Sequence, residues 1–117
     1  MHEVAVAQQM LEVIRRTLEG RPPARVRVAR LVLGRLTCVD PETLSFAFEV
    51  ACRGTPAEGC RLDVERVPLR VRCAACGTEE ERTDLLDPCG RCGNRRGEVI
   101  AGRELRLTTL DVEEDGP

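Results

Sequence analysis

The period of the apolar positions changes several times along the chain, and each change marks an element. Val4, Ala7, Leu11, Ile14 and Leu18 recur at steps of three and four. That spacing puts them on one stripe of an amphipathic helix over roughly residues 4–19. Gly20 stops the helix and Pro22-Pro23 prevents its continuation. Val26 and Val28, then Leu31 and Leu33, form two alternating pairs with a one-residue slip between them. This is the pattern of a strand with a bulge, its clearest part ending at Gly34. Asp40-Pro41-Glu42 reads as a helix start: Asp40 accepts from unsatisfied backbone N–H groups and Pro41 suits the first helical position. Leu44, Ala47, Phe48 and Ala51 then give a helical face, and Gly54 limits that helix to about residues 41–53. Leu62, Val64, Val67, Leu69 and Val71 read as a second strand, and Leu105, Leu107, Leu110 and Val112 as a third.

Between the second and third strands, the segment from about 70 to 101 offers only Val71, Leu85, Leu86, Val99 and Ile100 as large apolar residues. So few side chains cannot close a core, and a bound metal is what would hold the segment together. The expected fold is α+β: two helices packed on a small three-stranded sheet, with an inserted zinc-ribbon domain built on four cysteines. The boundaries read as 1–68, completed by a strand at 103–113, then 69–102 for the insert and 114–117 for an acidic tail.

Composition narrows the function classes. The chain has 117 residues, the size of one ordinary domain or a small domain with an insert. Its 18 basic residues are all Arg and face 20 acidic ones, for a net charge of −2. That balance argues against an extended phosphate-binding surface as the main function. No apolar run approaches the ~20 residues of a membrane span. Met-His-Glu-Val has neither a basic nor a long apolar region, so no secretion signal is read and a cytoplasmic location is expected.

Seven cysteines are present, and four of them form two pairs, Cys73-Ala-Ala-Cys76 and Cys89-Gly-Arg-Cys92. Each pair is followed by a glycine, Gly77 or Gly93. A two-residue spacing lets two thiolates turn toward one ion, and the glycine lets backbone N–H groups point back at the sulfurs. Two such knuckles supply four thiolates, a donor set that selects zinc or iron. With no position left for water, the site is structural rather than catalytic. Cys38, Cys52 and Cys60 lie outside the pattern and read as small buried hydrophobes.

His2 is the chain's one histidine. Methionine before a bulky His is normally retained, so Met1 keeps a free α-amine beside the imidazole. The amine, the His2 amide and the His2 imidazole close five- and six-membered chelate rings, and the Glu3 amide completes a planar nitrogen set. Square-planar nitrogen coordination is diagnostic of Ni(II) or Cu(II).

The combination of Met1-His2-Glu3, an amphipathic helix, the stretch from Asp40 to Glu49, Gly54-Thr55, Glu58-Gly59, the twin Cys-x-x-Cys-Gly and Gly102-Arg103-Glu104-Leu105 resembles the HypA/HybF family of hydrogenase nickel-incorporation proteins. The resemblance runs from residue 1 to about residue 113 in the family's order and spacing. It implies a non-enzymatic nickel metallochaperone that binds Ni(II) at its amino terminus and holds structural zinc in the ribbon. It also implies work with the nucleotide-hydrolysing partner HypB to load the large subunit of [NiFe]-hydrogenase. Carried over, Met1, His2 and Glu3 form the nickel site, with Asp40 as a further support. Cys73, Cys76, Cys89 and Cys92 become the zinc ligands. The polar face of the first helix, which carries Gln8, Gln9, Glu12, Arg15, Arg16 and Glu19, is the expected partner surface. Some relatives carry His beside the zinc cysteines, but this ribbon has none, which leaves a urease role without support from the sequence.

Two other classes are compatible with the ribbon. A nucleic-acid module is opposed by the acidic balance and the lack of stacking aromatics, since Phe46 and Phe48 are the only aromatic residues. A rubredoxin-like electron carrier would require iron in place of zinc. An enzyme is opposed by the terminal position of the one histidine.

Overall fold

The computed structural model describes residues 2–114. Helix α1 spans Glu3–Leu18, and strand β1 spans Ala24–Gly34. A single 3-10 turn, Arg35–Thr37, leads to helix α2 at Pro41–Cys52. Five strands follow: β2 Arg61–Val67, β3 Leu69–Cys73, β4 Glu79–Arg82, β5 Gly97–Ala101 and β6 Leu105–Glu114. They form two three-stranded sheets, β2-β1-β6 and β4-β3-β5. The fold is therefore α+β. Among the described residues no helix is long and apolar enough to cross a membrane. The chain divides into two compact units, one built from residues up to Leu31, Cys38–Glu65 and from Arg106 onward, the other from Val32–Thr37 and Arg66–Leu105.

In the first unit α1 buries Val6, Ala7, Met10, Leu11 and Ile14. Val4, expected on this stripe, is 63% exposed. The stripe as packed begins one turn differently, with Glu3, Val6 and Ala7 facing inward and Val4 at its edge in the first turn. Helix α2 buries Leu44, Phe48 and Cys52, spaced four apart. Its start is capped as expected: the Thr43 N–H donates to Asp40 Oδ2 at 2.9 Å, and Pro41 occupies the first turn. On β1, Val26, Ala29 and Leu31 are buried while Val28 is only partly so. The slip in alternation thus falls between Val28 and Ala29. Arg27 pairs with Glu113, and Arg30 grips Asp111 through two bonds of 3.0 and 3.1 Å. Partner numbers on β6 fall as those on β1 rise, which marks the pair as antiparallel.

The expected second strand is two strands in two different sheets. Pro68 lies between β2 and β3 and has no N–H to donate to a ladder, so pairing cannot run through it. In the second unit β3 pairs antiparallel with β4, Leu69 opposite Arg82 and Arg72 opposite Glu79. It pairs antiparallel with β5 on its other edge, Val71 opposite Val99 and Cys73 opposite Gly97. Leu69, Val71 and Cys73 alternate inward. Of the expected acidic tail, Glu114 ends β6 and residues 115–117 lie outside the described residues.

Candidate metal centre

The knuckles grow out of this second sheet. Strand β3 ends at Cys73, whose N–H donates to the Thr78 carbonyl at 2.8 Å. The chain then turns tightly enough for the Gly77 N–H to donate to the Cys73 carbonyl at 3.0 Å, with Gly77 at φ 75°. The second knuckle repeats the device. The Gly93 N–H donates to the Cys89 carbonyl at 2.8 Å with Gly93 at φ 79°, and the Cys89 N–H donates to the Asn94 carbonyl at 2.9 Å. A side chain at either glycine would have to adopt the left-handed conformation, which is costly for most residues. The Ala74 N–H donates to the Arg96 carbonyl at 3.0 Å and so ties the two knuckles together.

The four sulfurs of Cys73, Cys76, Cys89 and Cys92 lie within 4.8 Å of one another. Across the knuckles, Cys73 Sγ is 3.5 Å from Cys92 Sγ, and Cys76 Sγ is 3.7 Å from Cys89 Sγ. A tetrahedron with metal–sulfur bonds of about 2.3 Å has edges near ~3.8 Å. The donor set therefore fits a tetrahedral thiophilic ion, and its chemistry fits zinc. Cys73 and Cys89 are buried while Cys76 and Cys92 are exposed.

Hydrogen bonds to sulfur shape the charge of the set. The Thr78 side chain and then its backbone N–H lower the Cys76 thiol to about 6. The N–H groups of Cys76 and Ala75 lower that of Cys73. The Asn94 N–H favours a thiolate at Cys92, but crowding against Cys73, with burial, Cys76 and Cys89, pushes that thiol up to about 11. Four thiolates at these distances repel one another unless a dication sits among them. The sequence pattern did not single out Thr78 and Asn94. The signal that finds them is the polar residue following each knuckle glycine.

The remaining cysteines behave differently. Cys52 is buried, and burial followed by the neighbouring Cys60 thiol pushes it up to about 11. Cys60 is only partly buried, and its Sγ–H donates to the Arg61 carbonyl at 3.5 Å. Cys38, expected in the core, is exposed and stands in a turn at φ 58°. Turn geometry between the 3-10 segment and Asp40, not packing, sets its place.

At the other end, His2 is the N-cap of α1. It is exposed and its side chain makes no capping bond. Its carbonyl accepts the Val6 N–H at 2.9 Å, and its N–H donates to Glu3 Oε2 at 3.2 Å. Glu3 is buried at 6% exposure. Its carboxylate is held below the ordinary range, first by the cationic amino terminus and further by backbone N–H groups of Asp40 and His2. The structure thus brings His2, Glu3 and the backbone of Asp40 together. Met1 lies outside the described residues. The Asp40 side chain is engaged at the start of α2, where Oδ2 accepts from both the N–H and the Oγ1–H of Thr43.

Comparison with known proteins places this geometry. A family model described as hydrogenase/urease nickel incorporation, metallochaperone, HypA matches residues 1–112. A hydrogenase maturation factor HypA of Geobacter sulfurreducens is 41% identical over 113 residues, covering 97% of this chain and 100% of the relative. Its counterpart in Acidithiobacillus ferrooxidans is 36% identical with the same coverage. The solution structure of the Ni metallochaperone HypA from Helicobacter pylori superposes with a TM-score of 0.67 at 17% identity, covering 98% of this chain and 100% of that one. A second solution structure of a HypA protein gives 0.70 at 18% identity, with 98% of each chain covered. At that identity the two structures speak for a shared fold.

Proposed function

This chain belongs to the HypA family of nickel-incorporation metallochaperones, carriers rather than catalysts, and from that premise we propose that it carries one Ni(II) on its amino terminus. It delivers the ion to the large subunit of a [NiFe]-hydrogenase in the cytoplasm. The observation that carries the reading is the placement of His2: it is exposed, it precedes α1, and its imidazole makes no capping bond. In this reading the Met1 amine, the His2 amide, the His2 imidazole and the Glu3 amide are the donors. The Glu3 N–H stands in the first turn, where a helix supplies no intrahelical acceptor. The His2 N–H must give up its bond to Glu3 Oε2 when the nitrogen takes nickel, and the same carboxylate is placed to receive the proton. Asp40 acts through the backbone, holding Glu3 in place.

Residues 69–102 hold zinc through Cys73, Cys76, Cys89 and Cys92, while residues 1–68 with 103–113 hold the cargo. Zinc there supplies a cross-link and no reaction. The nickel-loading partner HypB docks on the exposed polar face of α1, where Glu12 and Arg16 form a 3.2 Å ion pair.

The test is a nickel titration of untagged, zinc-loaded protein followed by visible absorption. His2→Ala, and separately a blocked amino terminus, should each abolish stoichiometric Ni(II) binding with zinc content unchanged. Blocking deletes no side chain, so it separates a terminal chelate from an ordinary histidine site. Tight binding of one Ni(II) by a blocked protein lacking His2 would place the site elsewhere.

A further inference from the structure

One cleft in the second unit belongs to neither metal site. Arg35, Arg66, Pro68, Glu81, Arg82 and Thr83 line an open cavity of about 470 Å³. Its charged lining is three guanidiniums against one carboxylate. Arg35 and Arg66 stand exposed at the walls, and Arg82 is buried. Only 2% of the Arg82 side chain is exposed. Its Nε donates to Glu80 Oε1 at 3.3 Å and its Nη1 to the Asp87 carbonyl at 2.9 Å. Its Nη2 is buried and donates to nothing among the described residues. A buried cationic donor without an acceptor carries a standing cost, which an acceptor entering beside it would relieve. Arg35 is held as well, since its Nε donates to the Thr83 carbonyl at 3.0 Å.

We propose that this cleft is a binding site for a phosphate-class oxyanion, with Arg82 as its buried anchor and Arg35 and Arg66 as its walls. A carboxylate presents two coplanar oxygens, which a single guanidinium fork satisfies. A tetrahedral phosphoryl group presents oxygens in several directions and carries up to two charges. Guanidiniums from separate segments, in excess over acid, match the second and not the first. The site stands on residues distinct from the nickel and zinc ligands, but Glu81, Arg82 and Thr83 lie in the segment that zinc would hold, so it is tested with zinc in place.

The test uses zinc-loaded full-length protein and inorganic phosphate, at ionic strength held constant with chloride. Arginine side-chain N–H signals are followed by nuclear magnetic resonance. The Arg82 Nε–H signal should shift saturably, and Arg35→Gln or Arg66→Gln should each weaken binding on the order of tenfold. The double variant should abolish saturation with zinc content unchanged. Arg82 is left intact because its bonds to Glu80 and Asp87 also support the ribbon. A parallel titration with ADP distinguishes a nucleotide phosphate from free phosphate by which of the two saturates the Arg82 signal at the lower concentration. Non-saturating shifts equal to those given by chloride, binding unchanged in the double variant, or acetate binding as tightly as phosphate would each overturn the assignment.

Discussion

A β-carbon added at Gly34 would collide with the Gly102 carbonyl and sit 2.7 Å from the Glu104 nitrogen. Both obstacles are backbone and cannot swing aside. Three hydrogen bonds lock the same crossing: the Gly34 N–H to the Glu104 carbonyl at 2.7 Å, the Leu36 N–H to the Gly102 carbonyl at 2.8 Å, and the Gly102 N–H to Glu104 Oε1 at 2.8 Å. These contacts give physical reasons for Gly102 and Glu104 within the Gly102-Arg103-Glu104-Leu105 motif. Gly34→Ala should therefore destabilise the protein by about 1–3 kcal/mol, as overpacking does in a closed site. Urea unfolding of the zinc-loaded protein measures it, and a loss below about 0.5 kcal/mol, the range of an ordinary surface change, would mean that the crossing yields. The same scale shows one residue type in different states. Cys52 is a buried thiol pushed up to about 11, while Cys76 is drawn down to about 6 by Thr78. Spacing put Cys76 in the four-sulfur cluster and Cys52 outside it, and the structure places them so. It misplaced Cys38, because a turn at φ 58° is set by its neighbours rather than by the cysteine itself.

Among the elements, the helices were legible because their signals are local. The Asp40 cap, Pro41 and the apolar steps of α2 all lie within one short window, and both helices end within one residue of expectation. Strands β4 and β5 were not legible. Glu79, Glu80 and Glu81 have weak strand propensity, and β4 forms because β3 offers an edge and Arg72 neutralises part of the charge. Arg72 reaches Glu79 at 3.4 Å and Glu98 at 3.3 Å, one on each flanking strand. The pairing with Glu98 joins residues 26 apart, and a one-dimensional pattern carries no trace of it. The four-sulfur cluster was legible because two residues of spacing already determine a knuckle. The place of Asp40 gives the prediction at this scale. Asp40→Ala should cost about 1 kcal/mol through the lost cap, while Asp40→Ser keeps the acceptor and should cost only a few tenths. Thermal unfolding reads both. If nickel affinity falls with Asp40→Ser while stability holds, the carboxylate serves the nickel site in its own right. If it holds, Asp40 acts through its backbone and the cap alone.

For the whole molecule, each of the two units coheres by its own means. The first buries Val6, Ile14, Leu31, Leu44 and Phe48, side chains large enough to form a core of their own. The second buries Leu33, Leu69 and Val71, and two of its other buried residues, Cys73 and Cys89, are sulfur donors. The ribbon thus places sulfurs where another domain would place leucines, and an ion among the four would supply the cohesion that those side chains do not. Apparent binding energies for structural zinc reach roughly 10–16 kcal/mol, more than the margin by which a small domain is folded. Cys73→Ser, or removal of metal by a strong chelator, should therefore release amide protection across 69–102 while the amides of α1 and α2 stay protected. Hydrogen exchange read residue by residue measures this, with helical circular dichroism largely retained. Loss of protection in both units at once would show that the first does not stand on its own core. Undiminished protection of 69–102 in metal-free protein would show that Leu69, Val71 and their neighbours suffice. Mutating Cys38, Cys52 or Cys60 to Ala should leave zinc content unchanged, since none of the three belongs to the four-sulfur cluster. A loss of zinc in any of those variants would break the division between the thiols outside the cluster and those within it.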